Sequence, residues 1–174
     1  KEGLCMTHEE MHETFQQWQK TELDSYLIDI TTDILAYKDS DGSPLVEKIL
    51  DTAGQKGTGK WTGINALDMG ISLTLITESV FARCVSALKD QRTAAARLFP
   101  HSVCKIEGNR AQWLEALRQT LLASKIVSYA QGFMLMHEAS ETYGWKLNYG
   151  NTALLWRAGC IIRSVFLGNI RDAY

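Results

Sequence analysis

Residues 109–144 read NRAQWLEALRQTLLASKIVSYAQGFMLMHEASETYG, without a proline, and this stretch decides the fold. Trp113, Leu117, Leu121, Ile126, Phe133 and Met136 recur at helical spacing, with Ala123, Ser128, Ala130 and Gly132 interleaved among them. At 1.5 Å per residue such a helix spans roughly 50 Å, more than a domain of this size needs. Its second half leaves few fully polar faces. That predicts packing against more than one layer, including a neighbouring subunit or a further domain. The alternative is a kink near Gly132 inside a compact monomer.

Outward from this helix the pattern stays helical. Thr7 followed by Glu10 forms a capping-box signature, after which Met11, Phe15 and Trp18 share a stripe. Leu23, Leu27, Ile30 and Ile34 predict a second helix over about 22–37, ended by the turn Asp39-Ser40-Asp41-Gly42. Ser43 as N-cap and Pro44 at the first helical position predict a helix stopping at Gly54. Further helices are expected over 62–70, as one long piece over 72–98, after the Asn148 cap, and over 160–173. Residues 99–108 read as a loop with a short extended piece at 103–106. The expected architecture is all-α: one multi-helix domain with long helices over residues 1–174.

Composition narrows the function classes. Hydrophobic residues make up 45% and charged residues 22%, which excludes a disordered chain. Lys and Arg number 18 against 20 Asp and Glu, so no global basic field predicts nucleic acid or an anionic membrane as partner. No apolar run approaches the ~20 residues that span a bilayer, and no signal-peptide core opens the chain. The four cysteines form no CxxC pair and no glycosylation sequon occurs, so reduced thiols in a cytoplasmic setting are the expectation.

Two motif matches fail on inspection. His8-Glu9-Glu10-Met11-His12 fits H-E-x-x-H, but it occupies the first turn after the Thr7 cap and no glycine–histidine extension follows. Acidic residues there answer the helix dipole, and no metal is expected. Gly54-Gln-Lys-Gly-Thr-Gly-Lys60 fits the start of a nucleotide-binding P-loop, yet Trp61 stands where Ser or Thr must ligate magnesium, and a helix rather than a strand is expected before it.

The loop's chemistry survives that rejection. Gly54, Gly57 and Gly59 let backbone amides converge on an anion without Cβ obstruction, Lys56 and Lys60 supply charge, and Thr58 a hydroxyl donor. Entry into the following helix would add its N-terminal dipole. The plain alternative is a flexible helix–helix connection. Arg83, Arg157 and Arg163 lie among apolar neighbours, where an unpaired charge is costly. Internal pairs with Glu78, Glu138 or Asp68 would satisfy them. For Arg83 the anion-binding reading gains weight, because a guanidinium fork matches phosphate or carboxylate. Lys125 divides evenly between structural and binding roles.

Several strings together resemble a family. Leu23-Asp-Ser-Tyr-Leu27, Gly54-Gln-Lys-Gly-Thr-Gly-Lys-Trp61, Glu78-Ser-Val-Phe-Ala-Arg83, Ala123-Ser-Lys-Ile-Val-Ser-Tyr-Ala-Gln-Gly-Phe133, Leu147-Asn-Tyr-Gly150 and Trp156-Arg-Ala-Gly-Cys-Ile-Ile-Arg-Ser-Val-Phe-Leu-Gly168 look like 6-phosphogluconate dehydrogenase, in its order and spacing over nearly the whole chain. The resemblance implies an NADP-dependent oxidative decarboxylation of 6-phosphogluconate to ribulose 5-phosphate and carbon dioxide, in the pentose phosphate pathway. It implies that Lys56, Thr58 and Arg83 bind the 6-phosphate, and that the helical domain forms most of a homodimer.

The same resemblance places the coenzyme domain, and a K-M-V-H-N-G-I-E-Y segment with the catalytic lysine and glutamate, N-terminal to everything here. A C-terminal tail that reaches the partner subunit is likewise not matched. The expectation is therefore no catalytic, coenzyme-binding or metal residue among these 174 positions, and no NADP reduction by the segment alone. Ser72, Ser79 and Ala158 depart from the family's commoner proline, alanine and glycine, with slight packing consequences. Two rival readings remain: a non-catalytic helical dimerisation or interaction module, and a related β-hydroxyacid dehydrogenase. The second is disfavoured because two loop lysines plus Arg83 are excessive for a plain carboxylate.

Overall fold

The computed structural model describes residues 1–99, 102 and 104–174, whose regular elements are all helices, with two isolated β-bridges among the described residues. The helices are α1 (His8–Trp18), α2 (Tyr26–Ala36), α3 (Thr58–Asp68), α4 (Thr74–Ala87), α5 (Lys89–Leu98), α6 (Arg110–Tyr143), α7 (Tyr149–Leu155) and α8 (Phe166–Ala173), with a 3-10 turn at Leu45–Lys48. The chain forms two compact units. One comprises Lys1–Ile49, Val103–Ala123 and Asn148–Tyr174, and the other Leu50–Ser102 and Ser124–Leu147. α6 runs unbroken from Arg110 to Tyr143 and contributes its two halves to different units.

In the first unit α1 packs on α2 and α7 on α8. The capping box forms as expected: Thr7 Oγ1 accepts the Glu10 amide at 3.2 Å while the Glu10 carboxylate accepts the Thr7 amide at 2.8 Å. Arg110, at the start of α6, donates both terminal nitrogens to the two Glu10 oxygens at 2.9 and 2.8 Å. Backbone pairing joins α2 to the approach to α8, with Tyr26 N donating to Arg163 O at 3.1 Å and Val165 N to Asp24 O at 3.2 Å. Leu23 and Leu167, the largest fully buried side chains, flank that pairing in sequence. Among the described residues Arg163 pairs with no carboxylate. Its guanidinium carbon lies 3.6 Å from the Tyr26 ring centroid and Nη1 donates to Cys160 O at 3.1 Å.

The two histidines of the H-E-x-x-H match turn to separate tasks. His8 Nε2 lies 2.9 Å from Glu47 Oε1, and His12 Nδ1 lies 2.9 Å from the Thr32 carbonyl. Those neighbours explain both rings without a shared ligand. All four cysteines are free thiols. No helix of the described residues is long and apolar enough to cross a membrane.

Four boundary expectations are corrected by packing. The helix expected after Pro44 is only the Leu45–Lys48 turn, because Pro44 is extended and bridged to Lys38, and Leu45 N is spent on Tyr37 O at 3.2 Å. The helix expected over 62–70 begins four residues earlier, at Thr58. The long helix over 72–98 is two, broken at Leu88 (φ −86°, ψ 53°), where no glycine or proline stands. There the Ser86 carbonyl accepts Arg92 Nη2 at 3.0 Å, so a side chain occupies an acceptor near the end of α4. The last helix starts at Phe166, since the backbone of 163–165 pairs with residues 24–26 at the entry to α2. Of the expected extended piece, Val103 lies outside the described residues; Ile106 N donates to Gly3 O at 2.8 Å.

The Glu10–Arg110 pair has a measurable consequence. The Arg110 guanidinium first, then the Thr7 amide, lowers the Glu10 carboxyl to about 2. A depressed carboxyl stabilises the fold fully above its ordinary value of 4.5, and the contribution fades as pH falls from there towards 2. Urea midpoints measured across that window should fall less steeply for Glu10→Gln than for the parent chain. Parallel curves would show that the pair contributes nothing.

Candidate functional site

The second unit builds its chemistry around the start of α3. Gly57 is the N-cap and takes φ 110°, a left-handed conformation that costs a residue with a Cβ dearly. Trp61 N closes the first turn on Gly57 O at 2.8 Å. The amides of Thr58, Gly59 and Lys60 precede that first intrahelical bond and therefore face out of the helix end. The second half of the glycine-rich sequence is thus the first turn of a helix. Its dipole adds positive potential where Lys56, Thr58 and Lys60 are exposed.

α3 is pressed against α4, and the sequence permits this through Gly59. A Cβ there would stand 2.7 Å from Val80 Cγ2, an atom on a stiff β-branched side chain. Close approach at Gly59 brings the α3 start beside the middle of α4, where Arg83 projects. Arg83 Nε donates to the Gly54 carbonyl at 2.7 Å. The structure thereby ties Arg83 to the loop that holds Lys56 and Thr58. Among the described residues no carboxylate pairs with Lys56, Lys60 or Arg83, so the local field stays positive.

The approach to the loop is held by residues that sequence reading missed. Ala53 N donates to Ser86 Oγ at 3.0 Å. The Asp51 carboxylate pairs with Lys89, and its other oxygen lies 3.2 Å from Arg92 Nη1. Arg92 Nη2 also donates to the Asp51 carbonyl at 2.6 Å. Arg83, Ser86, Lys89 and Arg92 recur every third position, and this periodic polar spacing across α4 and α5 was the available signal.

Elsewhere in this unit an open groove of about 580 Å³ runs along α3 and α4, lined largely by apolar residues including Ala66, Leu73 and Phe81, with Glu78 its one charged residue. It shares no residue with 54–60 and suits no phosphate. Arg157 is exposed, and Lys125 lies on α6 in the same unit as the loop.

The family described as 6-phosphogluconate dehydrogenase, C-terminal domain, matches residues 1–174. The chain is 73% identical over 174 residues to the 6-phosphogluconate dehydrogenase, decarboxylating, of Haemophilus influenzae, covering all of this chain and 36% of that one. It is 58% identical over 175 residues to the Mus musculus enzyme of the same name, again covering 36% of it. Among solved structures, Plasmodium falciparum 6-phosphogluconate dehydrogenase superposes with a TM-score of 0.91 at 41% identity, over 97% of this chain and 37% of that one. That protein was solved in its apo form, with its cofactor NADP+ and with its substrate 6-phosphogluconate. This chain spans about a third of the length of the relatives it matches. It belongs to the 6-phosphogluconate dehydrogenase family and corresponds to that family's C-terminal domain.

Proposed function

We propose that this chain is the helical part of an NADP-dependent 6-phosphogluconate dehydrogenase, and that it supplies the subsite for the substrate's 6-phosphate. Lys56 and Arg83 supply positive charge, Thr58 a hydroxyl, and the α3 amides further donors. The carrying observation is the 2.7 Å bond from Arg83 Nε to Gly54 O, which ties a guanidinium to the lysine-bearing stretch that leads into the α3 N-terminus. A phosphate dianion uses all of these donors; a sugar hydroxyl or a plain carboxylate does not. Hydride transfer to NADP and loss of carbon dioxide belong, on this reading, to groups outside these residues.

The long helix supports a second contribution, to a homodimer interface. Trp113, Leu117 and Leu121 lie four residues apart on α6 and are 42%, 48% and 39% exposed, a stripe suited to burial against a partner. A cytoplasmic location fits the free thiols and the near-neutral charge.

The test is a backbone-amide NMR titration with 6-phosphogluconate, using gluconate as control. Shifts at Gly54–Lys60 and Arg83 with the phosphorylated ligand alone are expected. A well-dispersed spectrum in which neither ligand moves those signals would favour the interaction-module reading.

A further inference from the structure

We infer that Arg92, with Asp51 as its counter-ion, is a positioning residue that sets the anion-binding loop in register with Arg83. The inference rests on reading Lys56, Thr58 and Arg83 as the phosphate subsite, and it concerns residues that lie outside that subsite.

The argument starts from the segment 51–57, which carries no helix or strand of its own. A chain without a ladder must find partners for its polar backbone elsewhere. Here the partners come one after another from α4 and α5. Arg92 takes the Asp51 carbonyl, Ser86 takes the Ala53 amide, and Arg83 takes the Gly54 carbonyl, at 2.6, 3.0 and 2.7 Å. The order is antiparallel: rising position in the segment meets falling position on the helices. Three successive bonds of this kind define a register, and a slip of one residue would break all of them together.

Arg92 holds the far end of that register and braces its middle. One terminal nitrogen reaches Asp51 Oδ2, while the other is shared between the Asp51 carbonyl and the Ser86 carbonyl at 3.0 Å. A guanidinium spans these acceptors because it is a planar fork; an ammonium reaches fewer of them. Its bond to Ser86 O lies in the residue whose hydroxyl holds Ala53. Lys89 first, and Arg92 second, keep the Asp51 carboxyl below the usual carboxylate range, so it stays ionised at neutral pH. The consequence is local preorganisation. With the approach segment clamped, Gly57 meets its left-handed cap position and Gly54 keeps its bond to Arg83, so the loop that carries Lys56 and Thr58 loses little conformational freedom when phosphate binds.

The experiment uses a complete dehydrogenase carrying this segment, with steady-state KM read separately for 6-phosphogluconate and NADP. Arg92→Ala should raise the 6-phosphogluconate KM about tenfold, as expected for loss of charge-assisted bonds, and leave the NADP KM within about twofold. Arg92→Lys should recover part of the loss. Asp51→Asn, which preserves shape, should move the same KM in the same direction. In a Lys56→Ala background the further effect of Arg92→Ala should shrink, because an already crippled loop gains less from being positioned.

Equal rises in both KM values with a lowered Tm would mark Arg92 as merely structural and overturn the inference. So would an unchanged 6-phosphogluconate KM for Arg92→Ala and Asp51→Asn while Lys56→Ala raises it. If Lys56→Ala itself leaves that KM unchanged, the subsite reading fails first and the positioning role falls with it.

Discussion

Replacing Arg83 with alanine should weaken 6-phosphogluconate binding by about 100-fold, because hydrogen bonds to charged groups contribute ~1.5–3 kcal/mol and each 1.4 kcal/mol is a factor of ten. Arg83 stands on α4 with Nε committed to Gly54 O, and among the described residues nothing bonds its two terminal nitrogens. The committed bond restrains the guanidinium beside the loop before any ligand arrives. Alanine removes that guanidinium and also unties the loop. Arg83→Lys keeps the charge but loses both the plane and the tether, and should lie between, at about a tenfold loss. Gluconate affords the control, since without a phosphate its weak binding should not change. The measurement is the KM of a complete dehydrogenase, or a direct titration. Equal affinity of Arg83→Ala and parent for the phosphorylated acid would remove Arg83 from the subsite.

Leu167→Ala is the corresponding test of the fold. Leu167 is 0% exposed in the first turn of α8, close in sequence to the backbone pairing of Ser164 with Ser25. Truncating a fully buried leucine removes its transfer free energy and leaves a cavity, and should cost about 3 kcal/mol, within the 2–5 range for such sites. A domain has only about 5–15 kcal/mol in total, so the urea midpoint should fall sharply. Leu27, 47% exposed on α2, provides the comparison, and its alanine variant should cost less than about 1 kcal/mol. A Leu167→Ala midpoint no lower than that of Leu27→Ala would mean that the α8 start is not part of a close-packed core.

Helices announced by their own local chemistry were legible in the chain. α1 follows from Thr7 and Glu10, α7 from the Asn148 cap, whose side chain accepts the Asn151 amide at 2.8 Å, and α6 from its uninterrupted periodicity. Lys56, Thr58 and Arg83 could also be read as candidate anion holders, because glycine spacing and lone cations are properties of residue type. What went unread depended on partners far along the chain. Pro44 looked like a helix start until Asp39 and Tyr37 took its neighbours' backbone groups, and Ser72 to Leu98 looked continuous because nothing at Leu88 forbids a helix.

The amino-acid sequence by itself therefore determined the all-helical class, the caps and the chemical character of the 54–60 stretch, since each rests on residues within a turn or two of one another. Only the tertiary structure decided that α3 begins at Thr58, that Arg83 reaches Gly54, and that Arg92 and Ser86 hold the approach at Asp51 and Ala53. Those outcomes turn on which backbone donor or acceptor finds a side chain some thirty to forty residues away, and local periodicity carries no record of that choice.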